Sequence, residues 1–315
     1  MGELLSIEQK ARELDAQRAS RLARGASGDD IDHYMKLREA DQALIKPATD
    51  FREELKQEFH GDEASHGLLL PWYKVSDKWR IRSGELTVWS GFNGHRKSMV
   101  TGFVLLDLIH QGQKGCILSF EMKPRKTLRR MASQAIGTPS PTLEYIDRFL
   151  DSVSGKLWLY DHQGQVTADR VIAVITYCAE QLGVKQFLVD SMMKIVEDED
   201  DYNGQKRLTG RLQNLARDLD IHIHLVTHAK KKEDENKRPG KQDNRGSGTI
   251  VDQTDNFVVV FKIPKKDDDQ GPDFCLYVDK QRNAADGWEG TVALWFDDGS
   301  LQFKESRMDK ARRYV

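Results

Sequence analysis

Two adjacent residues that could bind phosphate and metal, Lys97 and Ser98, close a glycine-rich segment that begins at Gly91. The spacing fits the phosphate-binding pattern G-x4-G-K-[ST], in which the lysine contacts the outer phosphates of ATP or another NTP and the hydroxyl binds Mg²⁺. Backbone N–H groups of such a loop, which leads into a helix N-terminus, contact the same phosphates. The sequence therefore predicts a nucleotide site formed by Gly91, Phe92, Asn93, Gly94, His95, Arg96, Lys97 and Ser98.

Arg96 departs from this pattern because it stands where the second glycine belongs. That residue typically has a positive φ, which costs a non-glycine residue on the order of 1 kcal/mol. If the side chain faces the nucleotide, it adds a cation beside the phosphates and slows turnover, so that Arg96→Gly should raise the ATPase rate. Alternatively, the loop has a variant shape in which Arg96 points away from the site or is needed there. The sequence leaves both interpretations open.

Three polar residues stand at the ends of apolar runs that read as buried strands. Glu121 follows the first run, Asp190 ends the second and His228 follows the third. The carboxyl ends of parallel strands meet at one edge of a sheet, so these side chains are expected to converge near the loop. Glu121 could orient the water that attacks a γ-phosphate, Asp190 could organise Mg²⁺, and His228 could sense the γ-phosphate. Each residue alone also fits a structural role, as a strand-end salt bridge or a polar terminus.

Composition excludes several classes of protein. The 315 residues suit one large α/β domain with an appendage, and a net charge of -2 confines any nucleic-acid contact to a local patch. The cysteines, Cys116, Cys178 and Cys275, lie far apart in apolar runs, which favours buried free thiols over a zinc site. No window is long and apolar enough to cross a membrane, and the charged start is not a signal peptide. We expect a cytoplasmic protein.

Strand and helix patterns alternate from Leu86 to His228 and are followed by a run of strands. The alternation predicts an α/β fold with a mainly parallel twisted sheet, and the final strands predict an antiparallel extension. Residues 1–60 are rich in Glu, Lys, Arg, Ala and Leu, and predict an N-terminal helical region. Its helices either lie solvated on the main domain or form an arm that docks on a neighbouring subunit. Residues 67–305 make the main domain, and residues 306–315 a basic C-terminal tail.

A basic segment, AKKKEDENKRPGKQDNRGSG, follows His228 and has seven Lys and Arg against four Asp and Glu. It contains no apolar residue after its first alanine and predicts an exposed loop. A charge run of this kind can be no more than a solvated surface. On the nucleotide edge, however, it also suits contact with the phosphate backbone of single-stranded DNA. The candidate DNA-binding residues are Lys230, Lys231, Lys232, Lys237, Arg238 and Arg245.

Taken together, six motifs resemble those of the RecA-fold motor domain of hexameric replicative DNA helicases, the family of bacterial DnaB, mitochondrial Twinkle and the phage helicase-primases. The resemblance covers roughly residues 67–305 and rests on GELTVWSGFNGHRKS, SFEM, FLVDSM, LVTH, RGSGTIVDQTDNFVVV and DKQRN, in the family's order. It implies a RecA-like P-loop core in which Lys97, Glu121 and His228 are catalytic. It also implies that Arg282 acts as an arginine finger across a subunit boundary, with Lys280 beside it. The departures are Arg96 and the lack of a recognisable primase or zinc domain.

The resemblance implies a ring-forming, Mg²⁺-dependent NTPase that moves along single-stranded DNA and unwinds duplex, of the phage or prophage replicative kind. Its partners would be DNA, further copies of the same chain in a hexamer, and a separate primase or polymerase. A second hypothesis is a RecA-like DNA-binding ATPase module, a loader or regulator, that hydrolyses nucleotide weakly and unwinds nothing. DNA-stimulated hydrolysis with strand displacement would distinguish the motor from the module.

Overall fold

The structure is a computed structural model that describes residues 45–61, 67–196, 201–229, 236–239, 248–265, 269–282 and 287–315. The chain divides into two units, Met1–Ser65 and His66–Val315. In the first unit, the described residues form a 3-10 helix, Ala48–Phe51, and helix α1, Arg52–His60. Helix α1 lies in the N-terminal region, residues 1–60, for which the sequence predicts helices, and residues 1–44 of that region fall outside the described residues.

One sheet organises the second unit, and within the described residues it has nine strands in the order β3-β2-β4-β5-β1-β6-β7-β8-β9. The first six strands in this order are parallel, and the last three extend the sheet in antiparallel fashion. This confirms the predicted α/β class and the antiparallel C-terminal extension. The strands are β1 (Leu86–Ser90), β2 (Gly115–Ser119), β3 (Leu157–Leu159), β4 (Gln186–Asp190), β5 (His222–Val226), β6 (Asn256–Lys262), β7 (Phe274–Gln281), β8 (Gly290–Asp297) and β9 (Gln302–Lys304).

Helices cover both faces of the sheet and begin and end at residues suited to those positions. Pro124 is the first residue of α3, and the side chains of Thr142, Thr167 and Asp201 cap α4, α5 and α6. The helices of the second unit are α2 (Lys97–His110), α3 (Pro124–Ile136), α4 (Leu143–Val153), α5 (Ala168–Leu182), α6 (Tyr202–Asp218) and α7 (Gly248–Gln253). Helices α2, α3, α5 and α6 coincide with the helical patterns that the sequence shows from Lys97 onward and in PRKTLRRMASQAIG, VTADRVIAVITYCAEQLG and RLTGRLQNLARDLD, whereas no pattern was assigned to α4 and α7.

The core has three layers. Helices α5 and α6 bury Ile175 and Leu212 against one face of the sheet. On the other face, α2 packs with α3 and α4 over the parallel strands. Helix α2 also packs with the buried Trp72 and Trp79 over the antiparallel strands. Central strands such as β1, β2, β4 and β5 are buried along their whole length, as expected for parallel strands covered on both faces.

The C-terminal residues pack on this core. The Tyr314 hydroxyl donates to Asp107 Oδ1 of α2 at 2.8 Å, and the Tyr314 N–H donates to the Ala135 carbonyl of α3 at 2.8 Å. The segment 306–315, expected to form a basic tail, is therefore held against α2 and α3. Within the part of the chain that the structure describes, no helix combines the length and apolar character needed to span a membrane.

Candidate active site

The loop after β1 requires glycine at Gly91 because there is no space for a side chain there. Gly91 has φ +148°, and a Cβ there would lie 2.3 Å from the backbone oxygen of Val260 on β6. Gly94 also has a positive φ, of +80°, but a Cβ there would meet nothing within 4 Å. The close approach of β6 therefore excludes any side chain at Gly91. At Gly94, only the backbone conformation favours glycine.

Lys97 is buried beneath this loop, with a relative exposure of 5%. Its Nζ donates to the carbonyl oxygens of Gly91 and Phe92, each at 2.9 Å. Burial lowers the pKa of Lys97 to about 8, although Asp190 and Glu121 act in the opposite direction. The lysine thus sits within the loop as a desolvated cation close to two carboxylates.

The remaining loop residues differ in the direction of their side chains. Asn93 and Gly94 line the cleft beside the loop, whereas the Phe92 ring is buried in a small apolar cluster. His95 turns towards β6, because its Nδ1 accepts a hydrogen bond from the Lys262 N–H at 3.0 Å. Arg96 has φ 59°, the left-handed conformation expected from its place in the pattern. The loop therefore faces the cleft mainly through its backbone.

Ser98 and Asp190 meet at the floor of the cleft. The Ser98 hydroxyl hydrogen-bonds the Asp190 carboxylate, which is only 4% exposed. Burial raises the pKa of Asp190, and the Ser98 hydrogen bond acts against this shift. A hydroxyl and a carboxylate are the hard oxygen donors that Mg²⁺ prefers, so this pair fits the metal expected here. Within the described residues, no group of three or more His, Cys, Asp or Glu is placed to hold a metal ion.

Glu121 lies beside this pair, after β2. The Ser191 hydroxyl donates to Glu121 Oε1 at 2.8 Å, and His228 Nε2 lies 3.7 Å from the same oxygen. Hydrogen bonds with His228, which has the larger effect, and with Ser191 lower the pKa of Glu121 to about 2. A carboxylate of such low basicity is better suited to orient a water molecule than to remove a proton completely from that water.

His228 connects the two halves of the cleft. Its Nδ1 lies 3.2 Å from Lys97 Nζ, and its Nε2 faces Glu121. A group that changes the position of Lys97 would thus also change the surroundings of Glu121. The structure brings together the three strand-end residues singled out in the sequence, and adds Ser191, which the sequence analysis missed although it directly follows Asp190.

The cleft has a volume of about 990 Å³ and is strongly basic. Several of its lining cations form no ion pair with another described residue, and sequence reasoning assigned none of them to the site. The sequence does contain an indication of these cations, because the basic run PRKTLRR starts three residues after Glu121. These cations are Lys123, Arg125, Lys126, Arg130 and Lys194.

Lys280 and Arg282 lie at the opposite edge of the sheet. Arg282 Nη1 is 3.3 Å from Asp255 Oδ1, and Lys280 Nζ donates to the Val251 carbonyl at 2.6 Å. Strand β7 runs antiparallel to β6, so its last residues lie beside the start of β6 and β1. The five residues of β1, at about 3.3 Å each, separate that edge from the phosphate loop by about 16 Å. These two cations are therefore remote from the cleft of their own chain.

Among the candidate DNA-binding residues, only Lys237 and Arg238 lie in the part of the chain that the structure describes. Both residues are exposed, and Arg238 also contacts β7. Arg238 Nη1 is 3.1 Å from Asp279 Oδ1, and its guanidinium carbon is 4.4 Å from the centre of the Tyr277 ring. Lys230, Lys231, Lys232 and Arg245 fall outside the described residues.

Comparisons with known proteins relate most of this chain to one family. The family described as DnaB-like helicase C terminal domain matches residues 81–305. The Twinkle homolog protein, chloroplastic/mitochondrial, of Arabidopsis thaliana is 24% identical over an alignment of 271 positions, which covers 78% of this chain and 37% of that protein. The chain thus spans well under half the length of this curated relative.

Two solved structures share the fold. One is described as an ATPase domain, with a TM-score of 0.68 and 15% identity over 81% of this chain and 98% of that chain. The other is described as a DnaB-like replicative helicase and its interactions with primase. It has a TM-score of 0.66 and 15% identity over 88% of this chain and 77% of that chain.

Proposed function

The chain belongs to the DnaB-like helicase C-terminal domain family, and from this membership we propose that it is a ring-forming, Mg²⁺-dependent NTPase that moves along single-stranded DNA and unwinds duplex. We further propose that it is a replicative helicase of the phage or prophage kind. The observation that carries the proposal is the meeting of Lys97, Asp190 and Glu121 at one cleft after three parallel strands.

Each of these cleft residues has a separate role in hydrolysis. Loop N–H groups and Lys97 bind the phosphates of ATP, and the Nζ of Lys97 lies within the loop, where it donates to the Gly91 and Phe92 carbonyls. Ser98 and Asp190 hold Mg²⁺, which when bound supplies positive charge to the phosphate oxygens. Glu121 orients the water that attacks the γ-phosphate and yields ADP and phosphate. His228, placed between Lys97 and Glu121, responds to the γ-phosphate.

We propose that nucleotide binds between subunits of a hexamer. The support is topological, because Arg282 lies at the sheet edge opposite the cleft of its own chain and is partly exposed there, at 36% of its side chain. In a ring built by head-to-tail contacts, that edge can face the cleft of a neighbour. Arg282, with Lys280 beside it, would then stabilise charge that develops on the phosphates during hydrolysis.

The basic segment after His228 provides the contact with DNA. The assignment of Lys230, Lys231 and Lys232 rests on sequence alone, since these residues lie outside the described part of the chain. Lysines that neutralise phosphates release bound counterions, so their loss should weaken DNA binding and flatten its salt dependence. A primase is a further proposed partner, because one structure with the same fold is described with its primase interactions.

An ATPase assay with and without single-stranded DNA, combined with a strand-displacement assay on a forked duplex, tests the proposal. We expect DNA to stimulate hydrolysis and unwinding to depend on ATP. Lys97→Ala, which removes the buried cation, should abolish both activities. Nucleotide and DNA binding with negligible turnover would instead identify a DNA-binding module that acts as a loader or regulator.

A further inference from the structure

Arg96 borders the cleft, and its side chain extends onto the antiparallel part of the sheet. Its guanidinium carbon is 3.8 Å from the centre of the Phe296 ring on β8 and 6.0 Å from that of Phe274 on β7. One of its terminal nitrogens, Nη2, is 3.7 Å from Asp298 Oδ1 in the turn after β8. The positive charge of Arg96 is thus directed to an aromatic face and away from the phosphate-binding backbone.

The preceding residue makes a second contact of the same kind. His95 Nδ1 accepts from the Lys262 N–H at the end of β6, and its ring meets those of Phe92 and Phe261 at centroid distances of 5.3 and 5.4 Å. Two consecutive side chains therefore hold the last turn of the phosphate loop against the sheet. Glycine at either position could form neither contact.

The contact explains how a non-glycine residue is kept at a backbone conformation that favours glycine. Left-handed φ and ψ of 59° and 27° are strained for arginine, and the strain persists only where surrounding contacts hold the residue in place. Phe296 is itself fixed by the rings of Phe303 at 5.0 Å and Phe274 at 6.0 Å. The loop is thus attached to a cluster of packed aromatic rings.

We propose that Arg96 is a positioning residue: its stack on Phe296 holds the phosphate loop in the shape that binds nucleotide. The inference rests on the proposed function of the cleft as an NTP site. A loop that is already ordered loses less conformational entropy when it binds phosphate, so removal of the stack should weaken nucleotide affinity. Because Arg96 and Phe296 act through one contact, loss of either should have the same effect as loss of both.

A double-mutant cycle on the full chain tests this, with Arg96→Ala, Phe296→Leu and the double variant. Affinity for a fluorescent ATP analogue with Mg²⁺ is measured for each protein. We expect each single variant to bind about five- to tenfold more weakly, and the double variant no more weakly than either. KM for ATP should rise while kcat at saturating ATP changes by less than about twofold.

Conservative variants separate positioning from general destabilisation. Phe296→Tyr keeps the ring and should retain wild-type affinity. Arg96→Lys keeps the charge but loses the planar group, and should bind as weakly as Arg96→Ala. Arg96→Gly removes the strain together with the contact, and it too should bind more weakly. The matched control is Arg148→Ala on α4, which removes a similar arginine that stacks on Tyr145 at 5.2 Å and pairs with Glu144 at 2.6 Å. This control should leave nucleotide affinity unchanged.

The outcomes distinguish this inference from the function on which it rests. Unchanged affinity in Arg96→Ala and Phe296→Leu, or losses that simply add in the double variant, would overturn the positioning role while the wild type still binds nucleotide. Tighter binding or faster turnover by Arg96→Gly would overturn it as well. A wild-type chain that binds no nucleotide would overturn the proposed function and this inference together.

Discussion

Gly91 and Gly94 lie in the same loop, but glycine is required at these positions for different physical reasons. At Gly91, a side chain would collide with a backbone oxygen of β6, which cannot move without breaking the sheet. At Gly94, a side chain would meet open space, so only the positive φ disfavours it. The sequence pattern marks the first position as essential, and the structure supplies the reason.

We predict that Gly91→Ala abolishes nucleotide binding, because relief of the 2.3 Å contact with Val260 O must displace the loop from β6. Gly94→Ala is the matched control within the same loop, and it should cost only about 1 kcal/mol of stability. Titration with a fluorescent nucleotide and thermal unfolding of both variants measure the difference. Equal nucleotide affinity in the two variants would show that the contact with β6 does not set the loop geometry.

At the scale of secondary-structure elements, polar contacts join strands to helices at the edge of the sheet opposite the cleft. Asp255, at the start of β6 and 1% exposed, accepts from the Leu86 N–H of β1 at 3.0 Å and from Gln213 Nε2 of α6 at 3.2 Å. Arg217 and Arg282 each lie 3.3 Å from its Oδ1. One buried carboxylate thus connects β1, β6, α6 and the end of β7.

We predict that Asp255→Ala lowers the free energy of unfolding by about 3 kcal/mol, at the low end for a broken buried ion pair because both arginines are partly exposed. The Leu86 N–H and the Gln213 amide would lose their acceptor. Asp169→Ala is the control, because that carboxylate pairs with Arg211 at 2.7 Å but is 83% exposed, and it should cost less than about 1 kcal/mol. Urea unfolding measures both variants, and similar losses in the two would contradict the central role of Asp255.

At the scale of the whole molecule, two buried histidines make stability depend on pH. His222 and His224 of β5 are 0% and 1% exposed, and their ring centres are 4.5 Å apart. His222 faces the Arg82 carbonyl, the Thr87 hydroxyl and the charge of Asp255. Burial lowers the pKa of His222 to about 4 and that of His224 well below its usual range. Both rings are therefore neutral in the folded protein at physiological pH.

We predict that the protein loses stability as pH falls below about 6.5, because the unfolded chain then binds protons that the folded histidines do not. The contribution of His222 is fully present above that pH and decreases as pH approaches 4, with a loss of about 2 kcal/mol by pH 5. Urea unfolding at pH 7.5 and pH 5 tests this against His222→Gln, which should show a smaller difference between the two pH values. An unchanged difference in the variant would assign the acid sensitivity to other groups.

The ring itself can be tested by mixing two inactive proteins. Under the proposed function, Glu121→Ala would lack the residue that orients water and Arg282→Ala the residue supplied to the neighbour, so each alone should be nearly inactive. If the chain forms the proposed hexamer, mixed rings would contain some interfaces with an intact Glu121 opposite an intact Arg282, and we expect partial recovery of ATPase activity. A mixture as inactive as its parents, with co-assembly verified by differential labelling, would argue against a site shared between subunits.

Much of the architecture follows from local sequence, and the exceptions have physical causes. The central described strands β1, β2, β4 and β5 fall within apolar runs of the sequence, because buried strands need continuous apolar residues bounded by turns. Helix α4 is missed although Thr142 caps its start and its inner residues Phe149 and Val153 pack on other elements. Helix α7 is too short for its periodicity to be recognised.

By itself, the sequence determined the fold class, the phosphate loop and the convergence of Glu121, Asp190 and His228, because chain connectivity places the ends of parallel strands at one edge. Only the tertiary structure decided where the arginines point. Arg96 meets Phe296, and Arg282 meets Asp255 at the edge away from its own cleft. These contacts join residues distant in sequence or on different strands, and the long arginine side chain can reach several such partners, so local pattern cannot choose among them.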